Sequence, residues 1–235
     1  AGVLKPGAAT GIGSGSVVTI AAGATFDVND QSATLGSLSG GSGTLDLGLG
    51  SLAASDDIDL TGITVVIAAA GSGNQTLRAG SDGSGSLIVD ALTKSSTGNL
   101  TLIAPTLIDI NGDVAVNAGN LSINNAFNAA GDLTASGDIT LSGLGTLDGA
   151  AAQSIDAQGG TLTTIGLSKT VGGGGNLSLG GGTAITASGD VTVATANGDL
   201  IIVDDITTDS NLSAVRNVIF QGAGASTFNA AGAQS

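Results

Sequence analysis

The sequence predicts an all-β fold, a parallel β-helix or β-solenoid of about 20 residues per coil, and three observations support this. A short phrase, Gly-[Asp/Asn]-[Leu/Ile/Val], recurs at Gly112, Gly119, Gly131 and Gly137. After each phrase, apolar residues alternate with Ala, Ser or Thr, which is the period of a strand with one buried face. The corner residues also recur at the spacing of coils that stack to bury their apolar faces together.

Four pairs of corner residues define this spacing. They are Asp113 and Asp132 at 19 residues, Asn120 and Asp138 at 18, Asp190 and Asn211 at 21, and Asp199 and Asn217 at 18. Glycine permits a positive φ at such a corner, and Asp or Asn can bond to the local backbone there. For 235 residues, the spacing predicts about 11 or 12 coils in one domain, 1–235, and a rod about 55 Å long.

The charged residues exclude several classes of protein. All 19 acidic residues are Asp, and Asp favours turns whereas Glu favours helices, so we expect almost no helix. The net charge of −14 disfavours nucleic acid and anionic membranes as partners, because no basic patch can meet their phosphates. The chain has no Cys, which excludes disulfides and thiol chemistry. No apolar run is long enough to span a membrane.

The first half of the chain reads as short strands and corners. Residues 1–16 are glycine-rich and weakly patterned, and we expect them to form a cap or to continue an earlier coil. Residues 59–70 form an apolar, β-branched run that predicts a strand buried on both faces. Residues 80–86 predict a flexible loop, and residues 98–147 carry the most regular repeats.

The second half loses this regularity and then regains it. Residues 148–182 lose the register, and this region, with the glycine run 172–175, predicts either a longer corner or a seam between two blocks of coils. The phrase then returns, because LTASGDITL at 133–141 is matched by ITASGDVTV at 185–193, an offset of 52 residues. The chain stops in mid-repeat, so we expect a fragment of a longer protein or a subunit that stacks end to end through uncapped coils.

Two stretches resemble repeats of bacterial surface adhesins. GNLSI and AAGDLTASGDITLSG look like the repeats of filamentous-haemagglutinin-type adhesins exported by two-partner secretion. VVTIAAGATFDVNDQSATLGSLSGGSGTLDLG is similar to repeats of autotransporter passenger regions. The resemblance implies a right-handed parallel β-helix, secreted through a bacterial outer membrane and displayed at the cell surface as a stalk or adhesive fibre.

Two groups of carboxylates are candidates for acid and base catalysis, as in polysaccharide hydrolases and lyases of this fold class. The groups are Asp56, Asp57 and Asp59, and Asp204, Asp205 and Asp209. Two carboxylates about 5 to 9 Å apart can serve glycoside hydrolysis, whereas the alternative is that these residues form corner turns. The chain has no His, Tyr, Trp or Glu, so the usual proton shuttles and sugar-stacking platforms are missing. We therefore expect no catalytic or cofactor-binding residues.

Calcium is the cation that the composition favours, because stacked corners would supply carboxylate and carbonyl oxygens. The segment GGSGTLD at 40–46 resembles a calcium nonapeptide loosely, with its Asp one place late. The alternative is that stacked Asn and Asp turns bond to one another along the rod. No metal-ligating residues are assigned.

Two further residue types have more than one interpretation. Sequons for glycosylation begin at Asn74, Asn99, Asn120, Asn176 and Asn211. Four of them are the repeat phrase itself, so a corner role competes with glycosylation.

The four aromatic residues are Phe26, Phe127, Phe220 and Phe228. We expect them inside the stack, and any that are exposed would mark a contact face.

Together these features predict a non-enzymatic, extracellular structural protein. It would be a rigid stalk, an adhesin shaft or a filament subunit at the bacterial cell surface. Its predicted partners are further copies of itself, end to end, or neighbouring repeats of a longer chain, with a host or cell-surface glycan or protein as another candidate. The alternative is a glycan-binding or glycan-cleaving β-helix that uses the Asp groups.

Overall fold

The chain winds into a parallel β-solenoid of about ten turns, with equivalent residues about 21 apart. The computed structural model describes residues 2–7, 12–67, 71–170, 175–222 and 226–228, and these contain strands and turns but no helix. The predicted fold class is therefore confirmed. The turns are fewer than the predicted 11 or 12 because some coils are long: Gln75 pairs with Leu100, 25 residues later.

Short strands follow one another around each coil. The chain begins with β1 (Val3–Leu4), β2 (Val17–Ile20), β3 (Thr25–Asp27), β4 (Ala33–Leu35), β5 (Ser37–Gly40), β6 (Thr44–Gly48), β7 (Leu52–Ala54), β8 (Ile58–Asp59), β9 (Thr64–Ile67), β10 (Gln75–Arg78) and β11 (Leu87–Val89). It continues with β12 (Leu92–Lys94), β13 (Leu100–Ile103), β14 (Ile108–Ile110), β15 (Val114–Val116), β16 (Leu121–Asn124), β17 (Phe127–Ala129), β18 (Leu133–Ala135), β19 (Ile139–Leu141), β20 (Gly145–Leu147) and β21 (Gln153–Ala157). The later strands are β22 (Thr161–Thr164), β23 (Leu167–Lys169), β24 (Leu177–Gly180), β25 (Ala184–Ala187), β26 (Val191–Val193), β27 (Leu200–Ile202), β28 (Ile206–Thr208), β29 (Leu212–Ala214), β30 (Val218–Phe220) and β31 (Thr227–Phe228).

Each coil contributes one strand to each of three faces. Face 1 is a ten-stranded sheet in the order β2-β5-β8-β11-β14-β17-β20-β23-β26-β29. Face 2 is divided into β1-β3-β6-β9 and β12-β15-β18-β21-β24-β27-β30. Face 3 is a ten-stranded sheet from β4 to β31 that takes every third strand. The division of face 2 lies between β9 and β12, which are neighbours but do not pair.

The interior consists of aliphatic columns that run along the rod. In β16, Leu121 and Ile123 point inward while Ser122 and Asn124 are half-buried, as the period of two predicts. One column is formed by buried residues that pair in register on face 3: Leu100, Leu121, Ile139, Leu162, Ile185 and Ile206. Burying one such side chain contributes about 1.5–3 kcal/mol, so the columns are the main stabilising element.

One column on face 1 matches large and small side chains between successive coils. Phe127 is buried and pairs in register with Gly145 of the next coil. A Cβ at Gly145 would collide with the Phe127 ring. Gly145 therefore makes room for an aromatic ring that the narrow interior could not otherwise hold.

Two predictions about apolar residues were wrong. The run 59–70 is not one strand buried on both faces, because the chain turns at Gly62, with φ +71°, and Val66 of β9 is 39% exposed. Residues 68–70 lie outside the described part. Phe26 and Phe127 are buried as predicted, but Phe220 is 45% exposed because β30 is the last strand of face 2. The side chain of Phe228 also lies outside the described part.

The strands between residues 148 and 182 pair in register with the coils on either side. β21 pairs with β18 and β24, and β22 pairs with β19 and β25. Residues 171–174, which include most of the predicted long corner, lie outside the described part. The assignment of 1–235 to one domain with a seam in this region remains a prediction.

The two matched segments occupy different faces of the solenoid. Residues 133–141 place β18 on face 2 and β19 on face 3. Residues 185–193 place β25 on face 3 and β26 on face 1. The sequence repeat is therefore a strand–corner–strand unit that serves at more than one corner, and it is not a whole coil.

Candidate functional site

Asn and Asp side chains at the corners bond each coil to the next. Asn99 Oδ1 accepts a hydrogen bond from the backbone N–H of Asn120 at 3.1 Å, and Asn120 Oδ1 accepts one from Asp138 at 2.8 Å. The same contact joins Asn74 to Asn99 at 2.9 Å and Asp138 to Thr161 at 2.9 Å. We call these five residues the corner ladder. It satisfies N–H groups at corners that the strand pairings leave free.

All four residue pairs that defined the coil spacing in the sequence are hydrogen-bonded between coils. The contacts are Asp132 N–H to Asp113 Oδ1 at 2.9 Å, Asp138 N–H to Asn120 Oδ1 at 2.8 Å, Asn211 N–H to Asp190 Oδ1 at 2.9 Å, and Asn217 Nδ2 to Asp199 Oδ1 at 2.9 Å. The prediction that stacked Asn and Asp turns bond along the rod is therefore confirmed.

The two groups of candidate catalytic carboxylates lie in different coils. The first flanks β8 and the second flanks β28, which are six coils apart, or about 29 Å along the axis. This is far beyond the separation of about 5 to 9 Å that glycoside hydrolysis needs. The structure does not bring the two groups together.

Within each group, several carboxylates hold turns. Asp57 Oδ1 accepts from the backbone N–H of Ser86 at 2.7 Å, and Asp59 Oδ1 accepts from Thr61 at 2.9 Å. The Asp204 carboxylate accepts from the N–H groups of Gly181 and Gly182 at 2.9 and 3.2 Å. No side-chain hydrogen bond is formed, as far as the structure describes the chain, by the remaining three: Asp56, Asp205 and Asp209.

Two carboxyl groups outside the candidate groups, those of Asp156 and Asp109, have raised pKa values, and the sequence analysis did not single them out. Burial raises the pKa of Asp156, and the nearby charge of Asp204 raises it further. Burial likewise raises the pKa of Asp109, with a smaller contribution from Asp148. A raised carboxyl pKa is typical of a general acid. Neither Asp109 nor Asp156, however, lines any of the four surface grooves considered below.

The segment predicted to resemble a calcium loop uses its carboxylate in a turn. Asp46 Oδ1 accepts from the backbone N–H of Gly48 at 3.0 Å, and Asp46 pairs in register with Asp27. Lys5 Nζ lies 2.7 Å from Asp27 Oδ2 and lowers the pKa of that carboxyl. Within the ranges that the structure describes, no three acidic side chains are grouped so as to hold a metal ion. Calcium binding remains a prediction.

The sequon residues take part in the same corner bonding. Asn74, Asn99 and Asn120 belong to the corner ladder, and Asn176 Oδ1 accepts from the N–H of Asp199 at 3.0 Å. Asn211 donates both its backbone N–H and its amide to Asp190 Oδ1, at 2.9 and 3.3 Å. The corner role is thus confirmed for these side chains, and glycosylation remains a prediction.

Four of the five basic side chains are engaged within the fold. Lys5 bonds to Asp27, and the Arg216 guanidinium pairs with Asp199, which lowers the pKa of that carboxyl. Lys94 and Lys169 are fully buried. Arg78 is exposed, and its guanidinium has no hydrogen bond or ion pair to any described residue.

The two buried lysines bond to neutral oxygens and not to carboxylates. Lys94 Nζ donates to Gly73 O at 3.0 Å, Ser96 Oγ at 2.8 Å and Thr97 O at 3.3 Å. Burial lowers the pKa of Lys94. The sequence carried a signal for this site, because Lys94 follows the buried Leu92 by two residues and therefore points inward.

Lys169 occupies a similar position in another coil. Its Nζ donates to Gly149 O and to Gln153 Oε1, both at 2.7 Å. Burial lowers the pKa of Lys169, while the charges of Asp148 and Asp132 act in the opposite direction. Lys169 also follows a buried leucine, Leu167, by two residues.

Of four surface grooves that described residues line, the largest has a volume of about 650 Å³. It spans four successive coils on face 3 and the corner that follows. We call it the Arg78 groove and define it by the residues that line it: Arg78, Ala79, Gly80, Ser81, Asp82, Gly83, Ile103, Ala104, Pro105, Asn124, Asn125 and Ser142. None of the six candidate catalytic aspartates is among them.

The architecture and the coil-to-coil bonding define a β-helix repeat protein. No protein-family model, curated protein or solved structure matches the chain significantly. No helix long and apolar enough to cross a membrane occurs among the residues that the structure describes. The resemblance to adhesin and autotransporter repeats therefore remains a prediction from the sequence pattern.

Proposed function

We propose that this protein is a non-enzymatic structural β-solenoid, which serves as a rigid stalk, adhesin shaft or filament subunit outside a bacterial cell. The observation that carries the proposal is the use of corner carboxylates and amides in bonds between coils. A catalytic solenoid would instead direct such groups into a common cleft. The resemblance to surface-adhesin repeats supports the extracellular location.

The bonding pattern suits a load-bearing rod. Each coil is joined to the next by parallel strand pairings and by corner bonds, which lie along the same axis. About ten coils at about 4.8 Å each give a rod about 48 Å long. Separating two coils would break many of these bonds together, and each contributes about 0.5–1.5 kcal/mol.

Exposed apolar side chains at both ends of the described ladders favour end-to-end association. Leu4, in the first strand of face 2, lies in register with the buried Phe26 and is 50% exposed. At the other end, Phe220 of the last strand of face 2 lies in register with the buried Ile202 and is 45% exposed. Terminal strands of a sheet are templates for further pairing. The partner would be a second copy or the neighbouring repeats of a longer chain.

Negative-stain microscopy and sedimentation velocity, over a range of protein concentrations and with or without calcium, test this function. We expect rods about 48 Å long that associate end to end as concentration rises. Changing Leu4 and Phe220 to Lys should abolish association, whereas Leu144→Lys should not, because Leu144 is 67% exposed on the side of the rod. Compact particles would contradict the rigid stalk. Single rods at every concentration would contradict the filament.

A further inference from the structure

The Arg78 groove is produced by a local lengthening of the solenoid. Leu52 pairs with Leu77 and Gln75 with Leu100, so two successive coils take 25 residues each, whereas Leu121 pairs with Ile139 after only 18. The extra length includes the loop 80–86, which forms one wall of the groove. Insertions into single repeats of a solenoid commonly carry its binding residues.

This loop is held in place by bonds to the preceding coil. The backbone N–H of Gly80 donates to Asp56 O at 2.8 Å, and the N–H of Ser86 donates to Asp57 Oδ1 at 2.7 Å. Gly80 has φ +65°, and a Cβ there would collide with the Pro105 ring, so the loop packs closely against the next coil. A wall that is already ordered loses little entropy when a ligand binds.

The floor of the groove is a column of outward-facing side chains. Arg78 pairs in register with Ile103, and Ile103 pairs with Asn124. Ser142 continues the column one coil later, since its neighbour Leu141 pairs with Ile123. Successive members are about 4.8 Å apart, which places a cation, an apolar side chain, an amide and a hydroxyl in a line.

The cation is the one basic side chain, among the five of this chain, that the described structure leaves without an internal partner. Lys5 and Arg216 bond to aspartates, and Lys94 and Lys169 are buried. An Arg guanidinium presents a planar set of donors that matches a carboxylate with two parallel hydrogen bonds. Arg78 is therefore the basic side chain, among the five, that can form this pair of hydrogen bonds with the carboxylate of a ligand.

The remaining groups of the groove suit hydroxyls. The Asn124 amide makes no hydrogen bond to a described residue, so it can donate and accept. Asp82 Oδ1 accepts two bonds from Ser84, each at 3.0 Å, and its other oxygen is left as an acceptor at the rim. A simple carboxylate would use only Arg78, whereas a sugar acid would use the whole column.

We propose that the Arg78 groove binds a saccharide that carries a carboxylate, with Arg78 on the carboxylate and Asn124 and Ser142 on ring hydroxyls. None of the six aspartates considered for catalysis lines this groove. It is also distinct from the stalk function, because the ligand would contact outward-facing side chains on the side of the rod and not its ends.

Two-dimensional NMR titrations of the whole chain test the site with glucuronate, galacturonate and N-acetylneuraminate as probes, and with glucose and acetate as controls. At least one acidic sugar should shift the amide signals of Arg78, Asn124 and Ser142. Glucose and acetate should each bind at least about tenfold more weakly, because each lacks one half of the contacts.

Matched variants separate the roles of the groups. Arg78→Gln should weaken binding of the acidic sugar about tenfold or more, whereas Lys5→Gln, which removes the same charge elsewhere, should leave it within about twofold. Asn124→Ala should weaken binding of the sugar but not of acetate. The proposal is overturned if no acidic sugar binds, if Arg78→Gln binds as tightly as the native chain, or if acetate binds as tightly as the sugar.

Discussion

Gln75 and Gln153 show two outcomes of burying the same polar side chain in a narrow core. Both are the first residue of a strand, β10 and β21, and both are buried. Gln153 makes four hydrogen bonds: its amide donates to Ala129 O at 2.8 Å and Gly131 O at 3.1 Å, and its Oε1 accepts from Gly149 N–H at 3.1 Å and Lys169 Nζ at 2.7 Å. For Gln75, neither the amide nitrogen nor the oxygen has a hydrogen-bond partner among the residues that the structure describes.

The surroundings of the two glutamines explain the difference. Gln153 lies where three backbone carbonyls and one N–H of neighbouring turns converge with the Lys169 ammonium. Gln75 begins an aliphatic column and pairs with Leu100. The nearby Gly73 carbonyl already accepts from Lys94. The burial of Gln153 is therefore tolerated because all its polar atoms are bonded, whereas the burial of Gln75 costs free energy.

The largest expected change in stability follows from the loss of the hydrogen bonds that Gln153 makes. Gln153→Leu would leave the Gly149 N–H and the Gly131 carbonyl without partners, and would leave the Lys169 ammonium bonded only to the Gly149 carbonyl. The Ala129 carbonyl would keep its bond from the Asp148 N–H. We expect the free energy of unfolding to fall by about 3 kcal/mol or more, measured by urea denaturation. The control is Gln158→Leu, an exposed position, which should change it by less than about 0.5 kcal/mol. Equal effects of the two variants would contradict the structural role of Gln153.

The opposite change is expected at the other glutamine. Gln75→Leu would extend the column of Leu100 and Leu121 and remove two unsatisfied atoms. We expect the free energy of unfolding to rise by about 1–3 kcal/mol. A decrease in the urea midpoint would show that the Gln75 amide is bonded in solution, and the contrast with Gln153 would then be lost.

The lysines beside the two glutamines predict a dependence of stability on pH. Burial lowers the pKa of Lys94 and Lys169 below the ordinary 10.5, so the unfolded chain binds more protons between the two values. Stability should therefore rise as pH increases from the folded pKa towards 10.5, with a slope of at most about 1.4 kcal/mol per pH unit for each lysine. Below the folded pKa, the cost of burying the charge is fully present.

Single variants test each lysine. Lys94→Met and Lys169→Met should each flatten the alkaline rise, because each removes an ammonium whose pKa is lowered by burial. The measurement is the free energy of unfolding from pH 7 to pH 10.5 for the native chain and each variant. If the slopes are unchanged in both variants, the lysines do not titrate as described.

The smallest effect is expected at the surface corners, where water can replace a lost partner. Asn120→Ala removes the acceptor for Asp138 N–H and should lower the free energy of unfolding by about 1 kcal/mol. Asn120→Asp keeps the acceptor and should lower it less. Asn117→Ala, at an exposed corner with one long contact of 3.4 Å to Ser95, serves as the control and should have no measurable effect. A loss as large as that of Gln153→Leu would remove the distinction between interior and surface corners.

The sequence by itself determined the class of fold and the partners of its corner residues. Alternation over a few residues reports which side chains point inward, and the spacing of Asp113 and Asp132 reports the length of a coil. The alternation is local and the corner spacing is nearly periodic, so both can be recognised in the sequence without knowing how distant segments pack.

Only the tertiary structure decided which coils and faces meet. The same nine-residue phrase lies on different faces at 133–141 and 185–193, because its position depends on the lengths of all the coils before it. Alternation places Lys94 inward, but the carbonyl that receives its ammonium belongs to Gly73, 21 residues away. The Arg78 groove likewise combines residues of four coils. Such convergence depends on stacking, which a reading of the sequence from residue to residue does not contain.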